Sequence, residues 1–313
     1  MIYIFYSRIF FLEEYIMNGH DFINMWFESD TAKREKLQDA MQSIIDKTPK
    51  SEFDLFDNNP ESATDNPVLQ YYDLALERIV KDIPETQVAP GNIIIWYLYN
   101  MGFVIKTPQV CFGVDIHHRH ALKLEPFLDF IVTTHNHLDH YSMPLLRKMA
   151  ENKKWIISNF FPYFGYTKAA EYTYEIKGVI IHCGEANHNN MLQKFTMPME
   201  IVVPTGDRNF VFYTSGDCYD HKFLERKSEK TDLYAVHPRC GMTAANAAQK
   251  LEPELTFIVH LHELGHEINQ FRWEFSVGRR ELDDFKEINK KAYVPAWGEK
   301  FLWDGEKITG CQK

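Results

Sequence analysis

The sequence predicts an α/β protein with mixed β-sheets, helices outside them, and a helical segment in front. Up to about residue 88 the apolar residues recur three and four apart, the spacing of one helix face. From about residue 90 the texture changes to short β-branched or aromatic runs. Helical stretches at roughly 142–151, 163–171, 242–250 and 277–290 interrupt those runs.

In the first part, "FINMWF", "REKLQDAMQSIIDK" and "PVLQYYDLALERIVKDI" carry the helical spacing. The Asp/Asn/Pro-rich "EFDLFDNNPESATDNP" reads as a loop before the last of them. Trp26, Phe27, Tyr71 and Tyr72 suit an apolar stripe packed onto the following core; covering a pocket or mediating dimerisation are the other readings. The strands expected next are "NIIIWYLYN", "GFVIKT", "VCFGVDI", "LDFIVTT", "KWIISNF", "GVIIHC", "MEIVVPT", "NFVFYTS", "DLYAVHP" and "LTFIVHLH". Tight turns such as "PTGDRN" join some of them directly.

Composition narrows the function. The 313 residues are 45% hydrophobic and 25% charged, ordinary for a folded protein with room for one large domain and an extension. With 34 Lys+Arg against 44 Asp+Glu the formal charge is −10, which argues against a broad nucleic-acid-binding surface, though not against a local basic pocket. Cys111, Cys183, Cys218, Cys240 and Cys311 are scattered without a CxxC pair, so a reducing compartment, by default the cytoplasm, is expected. The apolar start "MIYIFYSRIFFLEEYIM" is broken by Arg8, Glu13 and Glu14, is too short to span a bilayer, and has no small-residue cleavage site. Either Met17 is the natural start and residues 1–16 are an over-long beginning, or they form an extra packed helix.

Two histidine motifs compete for a metal. "HLHELGH" at residues 260–266 contains H-E-x-x-H, the zinc-peptidase pattern. A β-rich approach, Gly265 inside the would-be helix, and the lack of a clear third ligand weaken it. "HNHLDH" at residues 135–140 directly follows "LDFIVTT". His135 and His137, two apart at a strand end, project to one side and can grip one ion. Asp139 and His140, further round the turn, can reach a second. Imidazole and carboxylate donors suit zinc, iron or manganese. Three histidines and an aspartate at fixed spacing arise by chance far more rarely than H-E-x-x-H, so this motif carries more information.

These residues resemble the metallo-β-lactamase superfamily, whose signature is H-x-H-x-D-H at a strand-to-helix loop. That family also has a later His, a bridging Asp and a terminal His, each at a strand end; "HCGEANHNN", "FVFYTSGDC" and "LTFIVHLH" supply His188, Asp217 and His262. The resemblance covers residues 92–270 and is nearer the L-ascorbate-6-phosphate lactonase-like branch. In "WYLYNMGFVIKTPQVCFGVDI", Leu98, Gly102, Phe103 and Asp115 match that branch's opening hairpin, while Tyr99 and Asn100 depart from it. "DLYAVHPRCGMTAANAAQKLEPELTFIVHLH" follows its next strand, its Met-Thr helix start and its final strand.

The resemblance implies an αββα metallo-β-lactamase sandwich of two mixed β-sheets with flanking helices over residues 89–313, behind an N-terminal helical extension, 1–88. It implies two divalent cations, zinc with manganese or iron as alternatives. His135, His137 and His188 would hold the first, and Asp139, His140 and His262 the second, with Asp217 bridging. A shared water activated to hydroxide would attack a carbonyl or phosphorus, and Asp139 could also orient it. His260, on the same side of its strand, would stand behind His262 or replace it; His262 is preferred because it is nearer the strand's end. His117, His118 and His120 could line the pocket rim or stand behind the ligands, a polar loop being the plainer reading, and Asp115 is the better candidate for standing behind them. His237 and Arg239 follow another strand: His237 could protonate a leaving group and Arg239 hold a phosphate or carboxylate, a solvated turn being the plainer reading. His266 is a substrate contact or a surface residue.

The expected function is therefore a cytoplasmic metal-dependent hydrolase acting on a small, anionic lactone or phosphate-bearing ester. Neither a nucleic-acid nor a membrane partner is expected, and homo-oligomer formation is left open. The alternatives are a phosphodiesterase or nuclease acting on nucleotides or RNA, and a non-catalytic metal-stabilised sensor or binding protein.

Overall fold

The computed structural model describes residues 17–163, 172–206, 208–268 and 270–311. The chain opens with helices α1 (Gly19–Phe22), α2 (Thr31–Ile45), α3 (Lys50–Asp57) and α4 (Pro67–Glu85). Strands β1 (Ile93–Tyr97), β2 (Phe103–Lys106), β3 (Cys111–Val114) and β4 (Phe130–Val132) follow, then α5 (Met143–Glu151) and β5 (Trp155–Ile157). The second half brings β6 (Tyr172–Ile176), β7 (Val179–Cys183), β8 (Met199–Pro204), β9 (Asn209–Thr214), β10 (Thr231–Val236), α6 (Ala244–Leu251) and β11 (Pro253–Ile258). Helix α7 (Phe275–Glu287) and strands β12 (Ala292–Tyr293), β13 (Lys300–Trp303) and β14 (Ile308–Gly310) complete it.

Among the described residues the strands form two seven-stranded sheets, ordered β14-β13-β1-β2-β3-β4-β5 and β12-β11-β10-β9-β8-β7-β6. Aromatic side chains join their inner faces: Phe103 lies 5.3 Å from Phe212, Phe210 lies 5.2 Å from Trp303, and Phe257 lies 4.6 Å from Phe301. Helix α5 packs on β5, and α6 on β10 and β11, so helices lie outside both sheets. The expected αββα sandwich is what the chain forms. Both sheets are mixed, but β3 to β5 run parallel, as do β9 to β12. Their carboxyl ends therefore gather along one edge, where open parallel sheets bind ligands.

The N-terminal helices share the apolar core of the sheets. Asn66 caps α4 by accepting from the Val68 and Leu69 amides, and Pro67 needs no partner at that end. The buried face of α4, Val68, Leu69, Tyr71, Tyr72, Ala75, Leu76, Ile79 and Ile83, is the stripe that the spacing predicts. Tyr71 accepts from the Trp26 indole at 2.9 Å and donates to the Trp297 carbonyl at 2.8 Å. Those aromatic rings pack inward. Arg34 meets Glu299 at 2.6 Å with both side chains almost fully buried, and Glu299 also accepts from Tyr293 and the Ala296 amide.

Several expectations need correction. The stretch read as a loop holds α3, because Phe53 and Phe56, three apart, are buried, and Phe53 packs 5.5 Å from Tyr72. Strand β6 and the three C-terminal strands were not foreseen; they are short, and β6 is mostly exposed, so the apolar signal is weak. The expected helix at 163–171 and the two readings of residues 1–16 lie almost wholly outside the described residues. His117, His118 and His120 fasten the N-terminal helices: His118 stacks on Tyr72 at 4.0 Å and meets its carbonyl at 3.0 Å, while His120 lies 3.9 Å from Asp73. Between them Arg119 grips Asp73 with two bonds, at 2.9 and 2.7 Å. No helix among the described residues is long and apolar enough to cross a membrane.

His117 lies 3.4 Å from Asp57 of α3. Burial opposes charge on both, but each outweighs it for the other, raising His117 from 6.5 to about 9 and lowering Asp57 from 3.8 to about 2. The histidine's contribution is whole below pH 6.5 and is lost as pH rises through about 9; the aspartate's is whole above pH 3.8 and is lost as pH falls through about 2. His117→Gln is expected to lower the thermal midpoint most between pH 3.8 and 6.5, with the gap to the parent protein closing toward pH 9. Glu299→Ala, which strands the buried Arg34, is expected to cost about 3–5 kcal/mol in denaturant unfolding.

Candidate metal centre

The site begins where β4 ends. Thr134 donates its amide to Asp115 Oδ1 at 2.7 Å and its hydroxyl to Asp115 Oδ2 at 2.8 Å. His140 Nδ1 lies 3.1 Å from that same Oδ2, so Asp115 holds the far side of the ring and turns Nε2 inward. The Thr134 hydroxyl, its proton committed to Asp115, accepts from His135 Nδ1 at 3.1 Å, which leaves the other nitrogen of His135 bare as well.

Four more strands deliver side chains to the same edge. The loop after β7 carries His188, whose amide donates to the Leu192 carbonyl at 3.0 Å. After β9 comes Ser215-Gly216-Asp217. Gly216 has φ +49°, and a Cβ there would sit 2.8 Å from Thr134 Cβ and Oγ1 and 2.9 Å from Thr196 Cγ2. The Ser-Gly-Asp form thus has a steric reason: only glycine lets the Asp217 turn lie against the Thr134 loop. His237 follows β10 and His260 follows β11.

Asp217 is the centre of this arrangement. Its Oδ2 lies 3.4 Å from His188 Nε2 and 3.8 Å from His135 Nε2. Its Oδ1 lies 3.2 Å from His237 Nδ1, 3.4 Å from His140 Nε2 and 3.8 Å from His260 Nε2. Asp139 Oδ2 adds a contact of 2.9 Å to His260 Nε2 and one of 3.4 Å to His140 Nε2. Donor atoms of His135, His137, His188 and Asp217 lie within 4.8 Å of one another, as do those of Asp139, His140 and His260, and those of Asp217, His237 and His260. His135 Nε2, His140 Nε2, Asp217 Oδ1 and both nitrogens of His237 are buried without a hydrogen-bond partner. Left so, each costs about 1–3 kcal/mol; divalent cations are what this donor set fits.

No family model matches the chain, and no curated protein matches its sequence. Solved structures match it in shape. Igni18, a metallo hydrolase from the archaeon Ignicoccus hospitalis, is 16% identical, with 68% of this chain and 98% of that chain covered and a TM-score of 0.52. CmlA, a diiron β-hydroxylase from Streptomyces venezuelae, is 10% identical, with 69% and 54% covered and a TM-score of 0.50. The metallo-β-lactamase fold protein YhfI from Bacillus subtilis is 13% identical, with 68% and 98% covered and a TM-score of 0.47. The fold is the αββα sandwich of two mixed sheets, similar to those of Igni18 and CmlA. At these identities the likeness is one of fold.

The centre's electrostatics follow from burial and crowding. Burial, then His140, pushes His135 well below the usual imidazole range. Burial with His188 lowers His137 to about 4, and burial with His260 does the same to His237. For Asp217 and Asp139 burial works the other way, but the imidazoles, His140 foremost, hold both carboxylates well below their usual range. Burial opposes charge on His140 too, yet Asp139 and Asp217 raise its pKa. Burial likewise opposes charge on His260, yet Asp217 and Asp139 raise its pKa, so ligation at the second set must displace protons from His140 and His260, while His135 and His137 already favour the neutral form that a cation needs.

The geometry corrects the expectation for the last ligand: His260 joins the cluster and His262 does not. Strand β11 ends at Ile258, and His260 and His262 both take left-handed backbone, φ +58° and +59°, so strand alternation no longer governs them. The His262 ring packs 4.1 Å from Phe275 and lines a cavity of about 10 Å³ with Met41 and Tyr71. Burial, then Arg272 and Arg279, depresses its pKa to about 3. Residues 262–266 form no helix, so the peptidase pattern lacks the helical turn it depends on. Asp115 lies behind His140 and Thr134. Arg239 meets Glu281 of α7 at 3.6 Å and His266 pairs with Glu263; these are their described partners, outside the cluster. His237 lies inside it, stacked on His260 at 4.0 Å.

Sequence reading missed two neighbours. Phe195 packs 4.9 Å from His137 and 5.6 Å from His135, a contact no motif announces. Asn100, whose amide reaches Asp139, stood out only as a departure from the hairpin pattern. His260→Ala is expected to lose the second cation and His262→Ala to keep both, read by metal analysis of the purified variants. Gly216→Ala, by displacing Asp217, is expected to lower bound metal in both sites.

Proposed function

We propose that the protein is a dinuclear metal-dependent hydrolase acting on a small ester, either a lactone or a phosphate-bearing ester. The observation that carries this reading is Asp217, whose two oxygens face separate sets of imidazoles. His135, His137 and His188 would hold one cation and Asp139, His140 and His260 the other, with His237 beside the second. When bound, such a pair acidifies a shared water and offsets charge developing on oxygen. The chain's own part is orientation: Asp115 and Thr134 fix His135 and His140, and Asp139, tied to His260 yet with some solvent exposure, orients the nucleophile. Zinc is the proposed metal, with manganese or iron accepted by the same donors. The acidic balance supports a small-molecule substrate over nucleic acid, and five unpaired cysteines support a reducing, cytoplasmic setting.

CmlA, a diiron β-hydroxylase, marks the reading to be separated, since histidine and carboxylate ligands also suit iron and oxygen chemistry. Protein purified without chelator, analysed for metal and assayed on lactones, phosphodiesters and β-lactams, is expected to carry two equivalents and to hydrolyse a lactone or phosphoester. Asp139→Ala is expected to lower kcat about 100- to 10,000-fold with the fold retained. Two bound equivalents with no turnover on any lactone or phosphoester would overturn the hydrolase.

A further inference from the structure

Asn100 sits in the turn between β1 and β2, fully buried, in left-handed backbone with φ +50°. Its carbonyl accepts from the Tyr97 hydroxyl at 3.0 Å and from the His260 amide at 3.1 Å. Its side-chain amide straddles Asp139 in a long, forked contact, 3.4 Å from Oδ2 and 3.5 Å from the carbonyl. The same Oδ2 lies 2.9 Å from His260 Nε2. One residue thus touches both members of the pair facing the second cation, through its backbone on one side and its side chain on the other. The two members come from different sheets: Asp139 follows β4 and His260 follows β11.

We propose that Asn100 is a positioning residue that sets the Asp139–His260 pair and thereby the hold on the second cation, while leaving the first cation's ligands alone. The inference rests on the dinuclear reading above. A carboxamide suits the task because it donates to a carboxylate without neutralising the charge a cation needs. Lysine there would compete with the cation. Asparagine is also among the few residues with a side chain that tolerate the left-handed backbone of this turn.

The test is Co2+ binding to metal-depleted full-length protein, followed by calorimetry and by the visible absorption of the bound ion. Asn100→Gly keeps the backbone conformation and both carbonyl contacts and removes only the amide. The parent is expected to bind two Co2+, and Asn100→Gly to bind the second about 10- to 100-fold more weakly, as for other residues that brace a ligand, with the first unchanged. Should glycine loosen the turn, Asn100→Asp keeps the shape and must still alter the second ion's spectrum. Unchanged binding of both ions, or equal weakening of both, would overturn the positioning role while sparing the dinuclear reading. A parent protein that binds fewer than two Co2+ would remove that reading and this inference together.

Discussion

A carboxylate charge placed where water cannot reach it is the condition on which the molecule is organised. Asp217 is almost fully buried, and its oxygens are met by imidazoles from four loops. Such a charge is tolerable only when opposite charge or strong donors surround it. Supplying them from separate strands obliges both sheets to end at one edge. Several left-handed residues lie there: Asn100, Asp115, Gly216 and His260 each turn the chain sharply just past a strand. Backbone strain of that kind persists where the surrounding packing over-determines it.

The N-terminal helices meet the same physical demand on a larger scale. Arg34, Arg119 and Arg272 each carry a charge inward and end on carboxylates or carbonyls across the helix–sandwich boundary. His117 connects this frame to the metal loop, with one nitrogen near Asp57 and the other 3.3 Å from the carbonyl of Tyr141, the residue after His140. Tyr99, packed 5.0 Å from Tyr72, accepts from the Leu264 amide at 2.6 Å and so steadies the chain beyond His260. The helices thereby brace two of the loops that build the centre, which links their packing to the geometry of the site.

Legibility in the sequence tracked how local each cause was. The loop at 135–140 could be read from its own spacing after an apolar strand, while His188 and the Ser-Gly-Asp turn were marked by the family resemblance, each again behind an apolar run. The choice between His260 and His262 could not. Both lie after "LTFIV", and strand parity treats them alike until the backbone turns left-handed at His260. Helix α3 was hidden by its acidic composition, since Phe53 looks like a loop residue until Tyr72 and Tyr99 are beside it. Arg239 and His266 looked available for substrate because their partners, Glu281 and Glu263, are given only by folding.

By itself the sequence determined the alternation of strands and helices, mixed sheets with helices outside them, and the histidine-aspartate motif at residues 135–140, because periodicity and short motifs are properties of neighbouring residues; the two-sheet sandwich and the later donors were implied by the family resemblance. Tertiary structure alone decided which histidine closes the second ligand set, which loop histidines serve the N-terminal helices, and what stands behind each ligand. Those choices are made by contacts between residues far apart in the chain, where burial and the pairing of charge, not local spacing, determine the geometry.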